Sequence, residues 1–263
     1  EKGTEAISME YDIPQEEVEV LLPSLIVLNR LLKYTVNDSI LLSNVLLSDA
    51  VMFEMLFPKE ASFVVKAYEE FTLQSATSIA ERFGRDLDHI SRVSSVALEI
   101  YDKMKKLHGY KLRERTLLQV SAILQDIGKY VNVKNHALLS YNTITNLDIV
   151  GINDHERLII ATVCYYHNGN IPSMDSPIYN QLSQEDRVMV SKLAAILQIS
   201  NAINTSHSPK FEQVNVNMKN GKLNIYLTTL KNINLEKWAF IAKSKLFREV
   251  YGLNATIIKR GVL

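Results

Sequence analysis

Four positions combine residue types and settings that could do chemistry: His89, the pair Gln125-Asp126, and Asn201. His89 opens the stretch His-Ile-Ser-Arg-Val, Gln125-Asp126 sits in Ala-Ile-Leu-Gln-Asp-Ile-Gly, and Asn201 follows Leu-Ala-Ala-Ile-Leu-Gln-Ile-Ser. An imidazole and a carboxylate carried to one place by packed helices can hold a divalent ion. Such an ion lowers the pKa of bound water and polarises a phosphoryl group. Gln125 and Asn201 offer only neutral amide oxygens, which are poor ligands for catalytic transition metals. His89 and Asp126 are therefore weak metal candidates, and no residue is assigned a catalytic role. The plainer expectation is that Asp126 caps backbone donors near Gly128 and that His89 hydrogen-bonds at a helix entrance.

Other side chains qualify as phosphate-binding candidates. Arg92 and Lys129 flank the four positions and could meet a phosphate oxygen without a metal. His167 ends a helix, where an imidazolium suits the dipole. His136 reads as a polar surface residue near a loop. Lys105 and Lys106 belong to a cationic stretch that runs from Lys103 to Arg115 around His108. The plain reading of that stretch is a solvated helix end, and the sharper one is a surface for a polyanion. Arg187, Lys192 and Lys210 carry no local sign that separates them from solvated charges. Cys164, in Ala-Thr-Val-Cys-Tyr-Tyr, is expected to be a small buried apolar residue.

The elements that must position these groups are mostly helices. Residues 15–34 read as a helix with acidic residues in its first turn and Pro23 inside, whereas the first ten residues hold no folding unit of their own. Residues 39–45 read as a short strand, followed by a helical stretch to Phe57. Helical spacing resumes from Ala61 to a stop at Gly84, and a second helix spans residues 87–107. A third, residues 114–127, is apolar on nearly all sides and must be central, with Gly128 as its cap. Residues 137–147 form a short helix. Asn153 or Asp154 caps the helix that carries Leu158 to Tyr166, and Ser183 starts the last long one. After Pro209 the period becomes two: Val214, Val216 and Met218, the turn Asn220-Gly221, then Leu223, Ile225 and Leu227. A helix at residues 236–251, anchored by Trp238 and Phe240, and a strand at residues 256–258 complete a β-β-α-β tail.

Lys plus Arg and Asp plus Glu each number 29, so net charge gives no reason to expect nucleic-acid binding. No apolar run approaches the ~20 residues needed to cross a bilayer. One cysteine cannot form an internal disulfide, which suits a reducing compartment, and a cytoplasmic location without membrane attachment is expected.

The residues quoted resemble two nested patterns. A His, a His-Asp pair and a distant Asp on three helices mark HD-type phosphohydrolase domains. Here His89 and Asp126 match, while Gln125 and Asn201 stand where the second His and the last Asp would be. Over nearly its whole length the chain resembles the C-terminal half of the exopolyphosphatase / guanosine pentaphosphate phosphatase (Ppx/GppA) family. Glu19 to Leu25 is similar to that family's "E-x-L-L-P-G" helix, and Leu42 to Met52 to the strand and turn that close its second actin-like domain. Asn146 to Gly151 is similar to "N-S-D-L-x-G", and Tyr166-His167 to "R-Y-H". Leu193 to Leu197 with Ser206-His207 resembles "L-A-A-I-L-R-L-A-D-A-L-D-R-S-H". Family order and spacing carry the match.

The resemblance implies a mainly α fold: an HD-domain-like helical bundle (residues 59–207), a small α/β C-terminal unit (208–263), and an N-terminal remnant of an actin-like domain (1–58). In the family, hydrolysis of phosphoanhydride bonds sits in two actin-like domains with glycine-rich phosphate loops, a Glu that activates water, and Mg²⁺. No such loop occurs in this sequence, and no cofactor is expected for this portion. It also implies that the helical part contributes to binding polyphosphate or guanosine pentaphosphate and to a homodimer. Two rival expectations are an autonomous metal-dependent HD phosphohydrolase acting on nucleotides, and a dimerisation scaffold.

Overall fold

The computed structural model describes residues 3–35, 47–57, 62–219 and 221–261, and among them no helix is long and apolar enough to cross a membrane. The chain divides into two units, Glu1–Ala61 and Ser62–Leu263.

The first unit contains α1 (Thr4–Tyr11), α2 (Gln15–Leu32) and α3 (Leu47–Leu56). The helix α1 was not read from the sequence. It ends where Asp12 turns left-handed (φ 51°), its N–H returning to the Ser8 carbonyl. Glu16 and Glu17 lie in the first turn of α2, where the helix dipole favours anions. Along α2, Val20, Leu22, Leu25 and Ile26 are all more than half exposed. The strand expected at residues 39–45 lies outside the described residues.

The second unit is mainly helical, as expected, and is built around α7 (Leu112–Leu124). It comprises α4 (Ser62–Arg82), α5 (Leu87–Lys103), a short α6 (Lys105–His108), α7, α8 (His136–Ile144), α9 (Asp154–Tyr166), the single turn α10 (Pro177–Asn180) and α11 (Gln184–Ile203). Leu118, Val120 and Ala122 are wholly buried because α4, α5 and α9 cover α7 on different sides. A helix apolar all round has no other stable place. Cys164 is buried as expected, its thiol donating to the Ser121 carbonyl at 3.3 Å. Asn153 supplies the cap of α9, in a box with Glu156, and Ser183 caps α11.

Two helices stop earlier than their apolar pattern suggests. The helix α5 breaks at Met104, and His108 turns inward to bond the Tyr101 carbonyl at 2.8 Å. The helix α7 ends at Leu124, and after Gln125-Asp126 the chain tightens into a 3-10 turn, Ile127–Tyr130. Gly128 is not the left-handed cap that the sequence suggests. It is buried in that turn and lies so close to α8 that a Cβ would collide with the His136 carbonyl and stand 2.5 Å from the Ser140 amide. The Ser140 hydroxyl fastens this approach, accepting from Gly128 N–H at 2.9 Å and donating to the Gln125 carbonyl at 2.8 Å.

The tail contains β1 (Gln213–Lys219), β2 (Lys222–Thr228), α12 (Asn234–Tyr251) and β3 (Asn254–Arg260). The hairpin β1–β2 is antiparallel, and β3 returns to pair parallel with β2 in the order β1-β2-β3. Leu223, Ile225 and Leu227 face inward, the alternation expected of a sheet covered on one side. The helix α12 lies against α11 and buries Phe240, Leu246 and Phe247. Trp238 is 72% exposed and anchors nothing within the described residues, which corrects its expected role.

Replacing Gly128 with Ala should destabilise the protein by at least about 2 kcal/mol, because the obstacle is backbone that cannot rotate away. Chemical denaturation of the two forms measures the difference. Equal midpoints would mean that the turn does not approach α8 as described.

Candidate functional site

The site is assembled from helix ends. Asp86 caps α5, its Oδ1 accepting from the backbone amides of Asp88 and His89 at 3.0 and 3.1 Å. That places His89 in the first turn of α5. Asp126 follows the end of α7, His136 opens α8, His167 follows the end of α9, and Asn201 lies near the end of α11.

Two small cavities occupy this region. One, of about 160 Å³, is lined by residues including Arg85, Asp86, His89, Gln125 and Asp126. The other, of about 150 Å³, is lined by residues including His136, His167, Asn201, Thr205 and Lys243. Lys129 and His207 line both. The four positions read from the sequence are thus divided: His89, Gln125 and Asp126 face the first cavity and Asn201 the second.

Asp126 does not cap backbone donors, contrary to expectation. The residue is 6% exposed. Oδ2 accepts from the Lys129 ammonium at 2.7 Å, and Oδ1 stands 3.5 Å from His136 Nε2 and 3.4 Å from His167 Nε2. Burial alone would raise its pKa, but the facing His167 and the Lys129 ammonium hold it well below the usual carboxylate range. His136 is buried rather than a surface residue, and burial, aided by His167, lowers its pKa.

His89 likewise departs from its expected role. Neither ring nitrogen has a hydrogen-bond partner among the described residues, and the ring stacks on His207 at 4.1 Å between centroids. Burial, then the neighbouring His207, pushes its pKa down to about 4. His207 sits in left-handed backbone (φ 51°), an uncommon state for a residue other than glycine. Gln125 is buried, and neither atom of its side-chain amide has a partner among the described residues. Buried Arg92 Nε is unpaired in the same sense.

An HD-type metal does not fit this set. Two of its four positions are amides, poor ligands for a catalytic transition metal.

The cationic stretch from Lys103 to Arg115 is not a surface of one sign. Arg113 forms a forked pair with Glu156 at 2.5–2.6 Å, Arg115 another with Asp102 at 2.9–3.0 Å, and Lys103 lies 3.9 Å from Glu99. Lys105 and Lys106 are exposed on α6 and line neither cavity. Lys210 pairs with buried Glu236 at 2.9 Å, and Lys192 lies over the Tyr110 ring. Arg187 bonds the Ser183 carbonyl.

Lys243 and His207 were not legible as site residues. Lys243 comes from α12, whose sequence marks only an amphipathic helix. Burial, together with the nearby Lys129, lowers its pKa.

The fold and the site define a helical domain with a small α/β tail and a polar, histidine-lined centre where helix ends meet. The chain belongs to the Ppx/GppA phosphatase family: the family's sequence pattern described as "Ppx/GppA phosphatase, domain III" matches residues 73–246.

The perturbed groups fix the sign of the pH response. His89 in the folded state titrates near 4, below its ordinary 6.5, so the unfolded chain binds the proton more readily between those values. Its contribution is complete above pH 6.5 and is lost as pH falls toward 4. His136 is shifted the same way. Acidification from pH 7 to 4.5 should lower stability, with His89 contributing up to about 3 kcal/mol. Replacing His89 with Asn should flatten the dependence of the thermal midpoint on pH; an unchanged profile would show that His89 does not titrate as described.

Proposed function

We propose that this chain is the C-terminal accessory region of an exopolyphosphatase or guanosine pentaphosphate phosphatase, and that it binds the polyphosphate chain or guanosine pentaphosphate rather than cleaving it. Hydrolysis is assigned to actin-like domains with glycine-rich phosphate loops and Mg²⁺, of which residues 1–58 would be the end of the second. No glycine-rich phosphate loop occurs in this sequence.

The observation that carries the binding role is the lining of the second cavity. Two ammonium groups, Lys129 and Lys243, meet three imidazoles and three neutral polar side chains there, with no carboxylate among the lining residues. Lys243 is held below its ordinary pKa by burial and by another cation, and an anion in the cavity would relieve that cost. Asp126 already neutralises Lys129 in part, which makes Lys243 the stronger contributor.

The rival reading, a self-sufficient HD phosphohydrolase acting on nucleotides, requires an ion held through His89, Gln125, Asp126 and Asn201, and the amides at two positions speak against it. A homodimer belongs to the proposal, supported by the exposed apolar row on α2. Light scattering that reports a monomer at working concentration would remove that part. Cytoplasmic residence is assigned with it, consistent with one buried cysteine that needs no oxidising compartment.

Labelled polyphosphate tests the central claim by fluorescence polarisation. Binding should weaken as salt rises, and Lys243→Ala should weaken it by about tenfold, while Lys105→Ala with Lys106→Ala changes it little. The chain should release no phosphate with Mg²⁺. Magnesium-dependent phosphate release, or binding indifferent to both Lys243 and salt, would overturn the proposal.

A further inference from the structure

Both imidazoles facing Asp126 have their other ring nitrogen committed. His136 Nδ1 lies 2.8 Å from the Val133 carbonyl, and His167 Nδ1 lies 2.5 Å from the Cys164 carbonyl. A carbonyl oxygen can only accept, so each Nδ1 carries a proton and donates it. In the neutral imidazoles each Nε2 then presents a lone pair. These two lone pairs face one another at 3.3 Å, and Asp126 Oδ1 stands 3.4 and 3.5 Å from them. That oxygen is buried and has no hydrogen-bond partner among the described residues. Three acceptors therefore converge with no proton shared among them.

A single added proton resolves one facing pair and leaves the third acceptor unpaired. A cation at the centre satisfies all three. The edges of this triangle match one face of a tetrahedron whose centre lies about 2.0–2.1 Å from each corner, the span of zinc–imidazole and zinc–carboxylate bonds. An octahedral Mg²⁺ at similar bond lengths would draw its ligands closer together, and it prefers oxygen to imidazole. The supporting shell has the form that metal sites use: each histidine donates its second nitrogen to a backbone carbonyl, and Lys129 fixes the other carboxylate oxygen at 2.7 Å.

We propose that Asp126, His136 and His167 form a tetrahedral site for a zinc-type divalent ion, with the fourth position left to a water molecule or an anion oxygen from the adjoining cavity. Neither His89, Gln125 nor Asn201 contributes a ligand, so the site shares only Asp126 with the HD-like set. The proposal stands apart from the polyphosphate reading and does not require it.

The purified chain, stripped with chelator and dialysed against zinc, should retain about one equivalent by elemental analysis. Cobalt substituted for zinc should give the strong visible absorption of a tetrahedral centre. His136→Ala and His167→Ala should each weaken zinc binding by about two orders of magnitude, whereas His89→Ala and His155→Ala should leave it unchanged. Circular dichroism reports whether each variant is folded. If His167→Ala does not fold, His136→Ala, at the first position of α8, carries the comparison. Failure of the unmodified chain to retain zinc, or retention by a folded His136→Ala variant, would overturn the proposal irrespective of any polyphosphate result.

Discussion

A carboxylate taken almost wholly out of water must be compensated, and Asp126 imposes that requirement on the centre of this fold. An isolated buried anion costs several kcal/mol even after the protein relaxes. The Lys129 ammonium, one turn onward, answers one oxygen. The other faces two imidazoles from α8 and α9, whose helix ends come within reach of the end of α7. The 3-10 turn at Ile127–Tyr130 and the close approach of Gly128 to α8 follow from this geometry. A side chain on Gly128 would push away the very helix that carries His136.

The ends of helices also set the electrostatics. His89 lies at the start of α5, where burial and then the stacked imidazole of His207 oppose its protonation. His167 follows the negative end of α9, and its Nδ1 is held by the Cys164 carbonyl. Gln198 steadies this end, donating to the Tyr166 and Asn170 carbonyls at 2.7 and 2.8 Å on either side of His167.

Charge elsewhere is spent locally. Forked Arg–carboxylate pairs tie α7 to α5 through Arg115 and Asp102, and to α9 through Arg113 and Glu156. What reads along the chain as a cationic run becomes, in three dimensions, a set of neutralised contacts with Lys105 and Lys106 left in solvent. The two cations that line the second cavity, Lys129 and Lys243, come from distant parts of the sequence.

The sequence by itself determined the long helices of the second unit, because apolar spacing and capping residues are local: Asn153, Ser183 and the all-round apolar α7 read directly. It likewise determined the hairpin of β1 and β2 and the four positions that draw chemical interest, through residue type and family order. It did not reveal that α7 stops at Leu124, since the cause is a backbone approach to α8 and not a breaker residue. Nor did it reveal that His136 turns inward, that Trp238 faces out, or that Lys243 and His207 reach the cavities. Those outcomes depend on which helix end meets which, and such meetings are decided by packing and by the compensation of one buried charge. The pairing of His136 and His167 across Asp126 belongs to tertiary structure alone: the three residues are local in neither sequence nor helix face, and only the folded chain brings their lone pairs together.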